Sequence, residues 1–291
     1  MKKYHLFLLV VTVLLLTGCS SLAEIPYTPG QTAETWLEMQ PYAELEIAAR
    51  PVVLVQPSTT AIVYLLGVIT IGAGVYFLRI RGVECALLWW GIALLLWGAG
   101  ALFAGSSYEA FSYQLKCVGR EVCTWTHWME IVYLVLSVAS VDAMLAAVAY
   151  SSASGKGRKR LLAYAAANLA VYLVVVLAGA IIPVKFLISF ELLILVCAPT
   201  IATVLVVNGR RYARRRQRTD LLLLGVWGWL IVTIAAYFLY YISDAAENFW
   251  TRGMWFTEND VLHIGLIVWM VYIALVVARQ VKDEKETMVS F

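Results

Sequence analysis

The chain reads as an all-α, polytopic membrane protein: a seven-transmembrane-helix bundle with its N-terminus outside and its C-terminus inside. Three observations predict this. Hydrophobic residues make up 62% of the 291 positions and charged residues only 14%, where a soluble domain carries about 25% charged residues. Mean hydropathy is +0.79, so water is not the main solvent. Crossing a hydrocarbon core takes ~20 mostly apolar residues as a helix, and such stretches fall at 58–78, 84–104, 126–150, 161–182, 185–207, 219–243 and 259–279. Backbone polar groups in lipid must bond within their own segment, which makes these stretches helices.

The elements follow in order. Lys2 and Lys3 precede an apolar run, Leu6 to Leu16, that breaks at Thr17, Gly18 and Cys19. Residues 1–18 therefore predict a secretory signal, with an apolar run too short for a comfortable span. The sequence Leu16-Thr17-Gly18-Cys19 resembles the lipobox of bacterial lipoproteins. That resemblance implies a diacylated Cys19 as mature N-terminus and a place in the bacterial cytoplasmic membrane. An uncleaved signal anchor is the alternative, and both readings put residue 20 onward outside.

Residues 19–57 contain Pro26, Pro29, Pro41, Pro51 and Pro57, which forbid a long helix and predict an extracytoplasmic tether or lid. A short turn is expected at Thr35, whose spacing to Glu38 suits a cap, with Val52 to Val55 extended along the membrane surface. The 58–279 region is the bundle, and 280–291 a cytoplasmic tail.

Charge sets the orientation, because lysine and arginine accumulate in cytoplasmic connections. The 20–57 segment is acidic, through Glu24, Glu34, Glu38, Glu44 and Glu46, and is read as external. Arg79 and Arg81, then Lys156, Arg158, Lys159 and Arg160, then the cluster Arg210, Arg211, Arg214, Arg215, Arg216 and Arg218 mark inner connections. Asp244, Glu247, Glu258 and Asp260 mark an outer one. Orientation explains the arginine cluster, and so does attraction to anionic headgroups. No aromatic-basic module accompanies these arginines, so nucleic acid is not an expected partner. Membrane lipids are, and the external loops suit a periplasmic protein.

Cys117 and Cys123 share the outer loop, where an oxidising compartment favours a disulfide. Trp89, Trp90, Trp125, Trp128, Trp250 and Trp255 fall near span ends, where aromatic belts form.

Ionisable groups inside lipid are costly, which makes each a candidate for function. Asp142 is expected past the middle of the third span with Asn168 of the fourth as partner, and Glu191 a couple of turns into the fifth, both acids facing the interior. His127-x-x-Glu130 opens the third span and Asp260-x-x-His263 the seventh, and residues three apart share a helical face. If those helices adjoin, the four side chains converge as ligands for zinc or another divalent metal. Such an ion activates water and polarises a carbonyl, the chemistry of amide or ester hydrolysis. Helix capping and the helix dipole account for the same residues without a metal.

The layout is similar to the ceramidase and progestin-receptor-like superfamily of seven-helix membrane hydrolases. There a serine and histidine end helix two, an aspartate begins helix three, and His-x-x-x-His begins helix seven. Here Ser106, Ser107 and Glu109 end the second span, Glu130 lies near the start of the third, and Asn259-x-x-x-His263 opens the seventh. Only His263 falls on a family histidine position. The resemblance implies a hydrolase of a lipid-like amide or ester at the outer face, with Glu109 or Ser107 assisting proton transfer or orienting substrate. A non-enzymatic sensor or assembly subunit that binds a partner through its external loops is the other function expected. No lysine lies within the seventh span to hold retinal, and no phosphate loop or nucleophile elbow is present.

Overall fold

The computed structural model describes residues 21–28, 30–47 and 50–284. The leader, Cys19 and the last seven residues lie outside the described residues. Among the described residues, seven helices are long and apolar enough to cross a membrane. They are α2 (Pro57–Ile80), α3 (Cys85–Ala104), α5 (Trp128–Ser152), α6 (Gly155–Ile181), α7 (Phe190–Arg215), α8 (Arg218–Tyr241) and α10 (Glu258–Tyr272). The π-helical Gly105–Ala110 prolongs α3, and Ile273–Val277 carries α10 on to Gln280. Short helix α1 (Ala33–Glu38) precedes them, and α4 (Ser112–Lys116) and α9 (Ala245–Trp250) lie between them.

Two helices, α6 and α7, depart most from the expected spans. Helix α6 starts at Gly155 rather than at 161, so Lys156 and Arg158 to Arg160 lie in its first turns. Helix α7 starts at Phe190 rather than 185, because the turn after Pro183 is followed by a 3₁₀ segment, Lys185–Ile188. It then runs on through the arginines to Arg215. Apolar length marks the lipid-embedded part of a helix, and basic residues past the core remain helical in water.

Six helices close into a ring: α2 packs on α3, α3 on α5, α5 on α7, α7 on α8, α8 on α10 and α10 back on α2. Helix α6 packs outside the ring, mainly on α5. The α2–α3 contact is backbone-close. A Cβ on Gly98 would meet the Gly67 carbonyl oxygen at 2.9 Å, and one on Gly74 the Gly91 oxygen at 3.0 Å. Small residues permit this approach, and in lipid close packing is what holds helices together. Trp90, expected in an interfacial belt, is fully buried in the core with Phe77, Trp227 and Trp269. The Trp269 indole is satisfied there by the Val226 carbonyl at 2.7 Å.

The segment before α2 is a folded cap rather than a tether. Tyr42–Ile47 (β1) and Arg50–Val55 (β2) form an antiparallel hairpin with Tyr42 opposite Val55. The short helix begins earlier than expected, with Thr32 rather than Thr35 as its N-cap. Tyr27 N donates to Cys123 O at 2.9 Å, Cys123 N to Gln31 O at 2.9 Å and Trp125 N to Ile25 O at 2.8 Å, which fastens the cap to the α4–α5 loop. Lys185 Nζ adds a bond to Pro26 O at 3.0 Å. Cys117 and Cys123 are disulfide-bonded, and buried Trp36 packs on them.

The opposite end is closed by the C-terminal segment. Asp283 caps α3, its carboxylate accepting from Cys85 N at 2.9 Å and Ala86 N at 2.7 Å. Glu284 accepts from Arg211 Nη2 at 3.0 Å and Arg215 Nη1 at 2.7 Å, and its carbonyl from Arg158 at 2.7 Å. Two members of the arginine cluster therefore bind the chain's own end. Arg211 also pairs with buried Asp220 at 3.0 Å.

Candidate functional site

A cluster of buried polar groups lies at the cap end of the bundle, beginning with the π-helical turn. Ser106 and Ser107 donate to the carbonyls of Leu102 and Phe103 at 2.7 and 2.8 Å, so both hydroxyl protons are spent on the backbone. Glu109 is buried, and its Oε2 has no hydrogen-bond partner. The charges acting on it are Lys116, Glu130 and Asp260.

Lys116, at the end of α4, is buried and forms an ion pair with Glu130. Its ammonium sits 4.9 Å from the Tyr108 ring centre, 5.8 Å from Trp36 and 6.0 Å from Tyr27. Two rings of this cage belong to the cap, so cap and bundle meet on one cation. Thr126 Oγ1 donates to the second Glu130 oxygen at 2.9 Å. Tyr27 titrates above its ordinary 10.0, first because it is partly buried and then because of the Glu130 charge. Lys116 is an unforeseen member of the site. Its one sequence signal is that it adjoins Cys117 and is fixed wherever the disulfide is.

The four proposed metal ligands form no single cluster among the described residues, although Glu130 and Asp260 both act on Glu109. Helix α10 packs on α2 and α8, and α5 on α3, α6 and α7, so the His127–Glu130 and Asp260–His263 pairs sit on helices that are not packed against each other. Each residue has a local task. His127 caps α5, its Nδ1 accepting from Met129 N at 3.4 Å. Burial, followed by Lys116 and Arg120, holds the half-buried His127 imidazole below its ordinary value of 6.5, so it stays a neutral acceptor. Glu130 is taken by Lys116 and Thr126. Asp260 Oδ2 accepts from Thr257 N at 2.7 Å and Thr257 Oγ1 at 3.2 Å, leaving buried Oδ1 unpartnered. Zinc bonds are ~2 Å long, and among the described residues no three histidine, cysteine, aspartate or glutamate side chains gather to hold one ion.

His263 has a different neighbour. Its Nδ1 is buried without a partner, and its ring lines a cavity of ≈ 380 Å³ inside the helix ring. All six ring helices contribute walls, among them Leu66, Trp97, Tyr133, Ile201, Tyr237 and Leu262. Tyr133 joins the cavity to the polar cluster, since Glu109 acts on its phenol along with Cys197, Ser137 and Tyr237 of the cavity wall.

Deeper in the bundle, Asn168 Nδ2 donates to both oxygens of Asp142 at 3.1 Å, and Thr200 Oγ1 to Oδ1 at 3.4 Å. Glu191 does not face the interior. It is exposed in the first turn of α7, because that helix begins at Phe190.

Together these features define a multi-pass membrane protein built around a central, mostly apolar cavity with a buried polar cluster at one end. Residues 58–282 match a family of unknown function, DUF6962, and the chain belongs to it. No curated protein and no solved structure matches the chain.

Proposed function

We propose that the protein binds a lipid-like amphiphile within the membrane, as a non-enzymatic sensor or assembly component whose folded cap meets its partner. The cavity carries this reading. Its volume lies within the ~300–1,000 Å³ range of ligand pockets, and an apolar wall with a few convergent polar groups is their usual character. Phe238 both lines the cavity and is 48% exposed, which supports lateral entry from lipid beside α8. The apolar tail then lies along α7 and α8, and the polar head at His263 and Tyr133. The cap end faces outside and the arginine end the cytoplasm of a bacterial cell, because the basic residues of alternate connections collect at one end.

Hydrolysis of an amide or ester in the same ligand is the second reading. His263, at the cavity wall with an unpartnered nitrogen, is the observation that favours it, together with the resemblance to seven-helix membrane hydrolases.

The test is lipid extraction and mass spectrometry of the purified protein, wild type against Ala202→Trp, which fills the cavity from α7. An amphiphile held by the wild type and lost from a folded Ala202→Trp variant supports binding. Equal retention by both removes the cavity from the function. Turnover of that amphiphile by wild type and not by His263→Ala would move the assignment to the hydrolase.

A further inference from the structure

The protein treats its buried acids in two ways. At the cap end Glu130 is paired with Lys116, and at the arginine end Asp220 is paired with Arg211. Asp142, near the middle of α5 and only 4% exposed, appears in no ion pair among the described residues. Its hydrogen bonds come from neutral donors alone, Asn168 of α6 and Thr200 of α7. Tyr164 extends the set, its phenol 3.5 Å from Thr200 Oγ1.

An ionised carboxyl is costly at the bilayer centre, and interhelical hydrogen bonds from neutral groups return little each. An asparagine would hold α6 and α7 without that cost. A carboxyl placed among neutral donors is suited to alternate between two states, ionised and cation-bound.

We infer that Asp142, with Thr200 and Tyr164, forms an exchange site for a monovalent cation in the middle of the membrane. In the simplest case the carboxylate takes up one proton and becomes a carboxylic acid, which remains bonded to Asn168 and Thr200. Sodium is the other source of the same charge, held by the Asp142 carboxylate and the two hydroxyl oxygens.

Access comes through the cavity. Val141, the neighbour of Asp142, lines it, as do Cys197 and Ile201 on either side of Thr200. The Cys197 thiol lies in the field of the Asp142 carboxyl. Tyr133, Ser137 and Val141 follow at four-residue intervals along the same wall, leading from the cap end to the site. Tyr164 lies one turn from Asn168 along α6, and its phenol is 3.5 Å from Thr200 Oγ1. The titratable groups around Asp142 are Cys197 on α7 and Tyr164 on α6, with buried Tyr172 on α6 and Tyr133 on α5 beyond Cys197. Helix α3, packed on α5, holds no acidic or basic side chain between Cys85 and Ala104. The inference does not require the cavity to bind lipid. If it does, ligand and cation share a wall, and each alters the affinity for the other.

Infrared difference spectroscopy tests this on the full protein in lipid nanodiscs. The expected result is a carbonyl band of a protonated carboxyl that grows and fades reversibly with pH and is lost in Asp142→Asn. Sodium in place of potassium at constant ionic strength separates the two sources. A displaced midpoint identifies sodium as a ligand, and an unchanged midpoint leaves the proton alone. Thr200→Val keeps the carboxyl and must move the midpoint, which secures the test should Asp142→Asn fail to fold. A carboxyl signal that responds to neither pH nor sodium while the protein stays folded overturns the inference and leaves Asp142 as a fixed hydrogen-bond anchor. Cavity occupancy is read separately by mass spectrometry, so failure here and failure of the lipid-binding reading are distinguishable.

Discussion

Lys116 and Glu130 are ion-paired with each side chain only 3% exposed, and three aromatic rings surround the ammonium. Removing one partner of a buried pair strands the other charge, at about 3–5 kcal/mol. Lys116→Met and Glu130→Gln should each lower the unfolding temperature markedly. Their combination should cost less than the sum of the two. Thermal unfolding of the two single variants and the double in detergent measures the coupling, and additive losses would show that the pair is not a unit.

Cap docking depends on the same corner. The Cys117–Cys123 ring fixes the loop on which Trp36 packs and to which Tyr27 and Gln31 are bonded. Closing so small a ring contributes roughly 2 kcal/mol to local order by the chain-entropy estimate. Cys117→Ser with Cys123→Ser should make residues 21–55 protease-sensitive while the seven helices stay folded. Limited proteolysis followed by mass spectrometry reads this directly.

The arginine end should respond to acid through Glu284. Burial raises its carboxyl, but the hydrogen bonds and charges of Arg215 and Arg211 outweigh this and hold it below its ordinary 4.5. A folded value lower than the unfolded one contributes stability that is complete above 4.5 and lost as pH falls through the lowered value. Amide exchange at 281–284 should therefore quicken below pH 4.5 in the wild type. In Glu284→Gln exchange should already be fast at neutral pH and lack that acid-dependent step.

Backbone proximity between α2 and α3 sets a steric limit. Gly98→Val places a Cβ 2.9 Å from the Gly67 carbonyl oxygen, which is backbone and cannot swing away. Overpacking of this kind costs typically ~1–3 kcal/mol. Gly72→Val, where a Cβ meets nothing within 4 Å, should be tolerated. Comparing folded yield and unfolding temperature of the two variants checks the contrast.

Parts of this molecule were legible from residues alone and others were not. Asn168 was readable as the partner of Asp142 because both fall toward the same half of successive spans, and depth follows from counting at 1.5 Å per residue. The cap hairpin was missed for an identifiable reason. Five prolines forbid a long helix and Val52 to Val55 reads as extended, but the pairing partner is not indicated; Pro51 sits in a two-stranded ribbon where each strand has a free edge and no ladder bond need be lost. The alternation Tyr42-Ala43-Glu44-Leu45-Glu46-Ile47 carried the strand signal. Lys116 looked like an ordinary loop charge, and nothing local indicated that Tyr27, Trp36 and Tyr108 would enclose it.

Transfer into lipid is a sum of per-residue costs along a short window, so counting residues was enough to find seven spans and to see basic residues gather in alternate connections. Helix neighbours and rotations obey no such local sum, because lipid tails are as apolar as leucine and association rests on packing detail and polar contacts made between distant segments. For that reason the folded chain alone could reveal that α10 packs mainly on α2 and α8 rather than on α5, that Glu130 is ion-paired with Lys116, and that Asp142 has no ion-pair partner among the described residues.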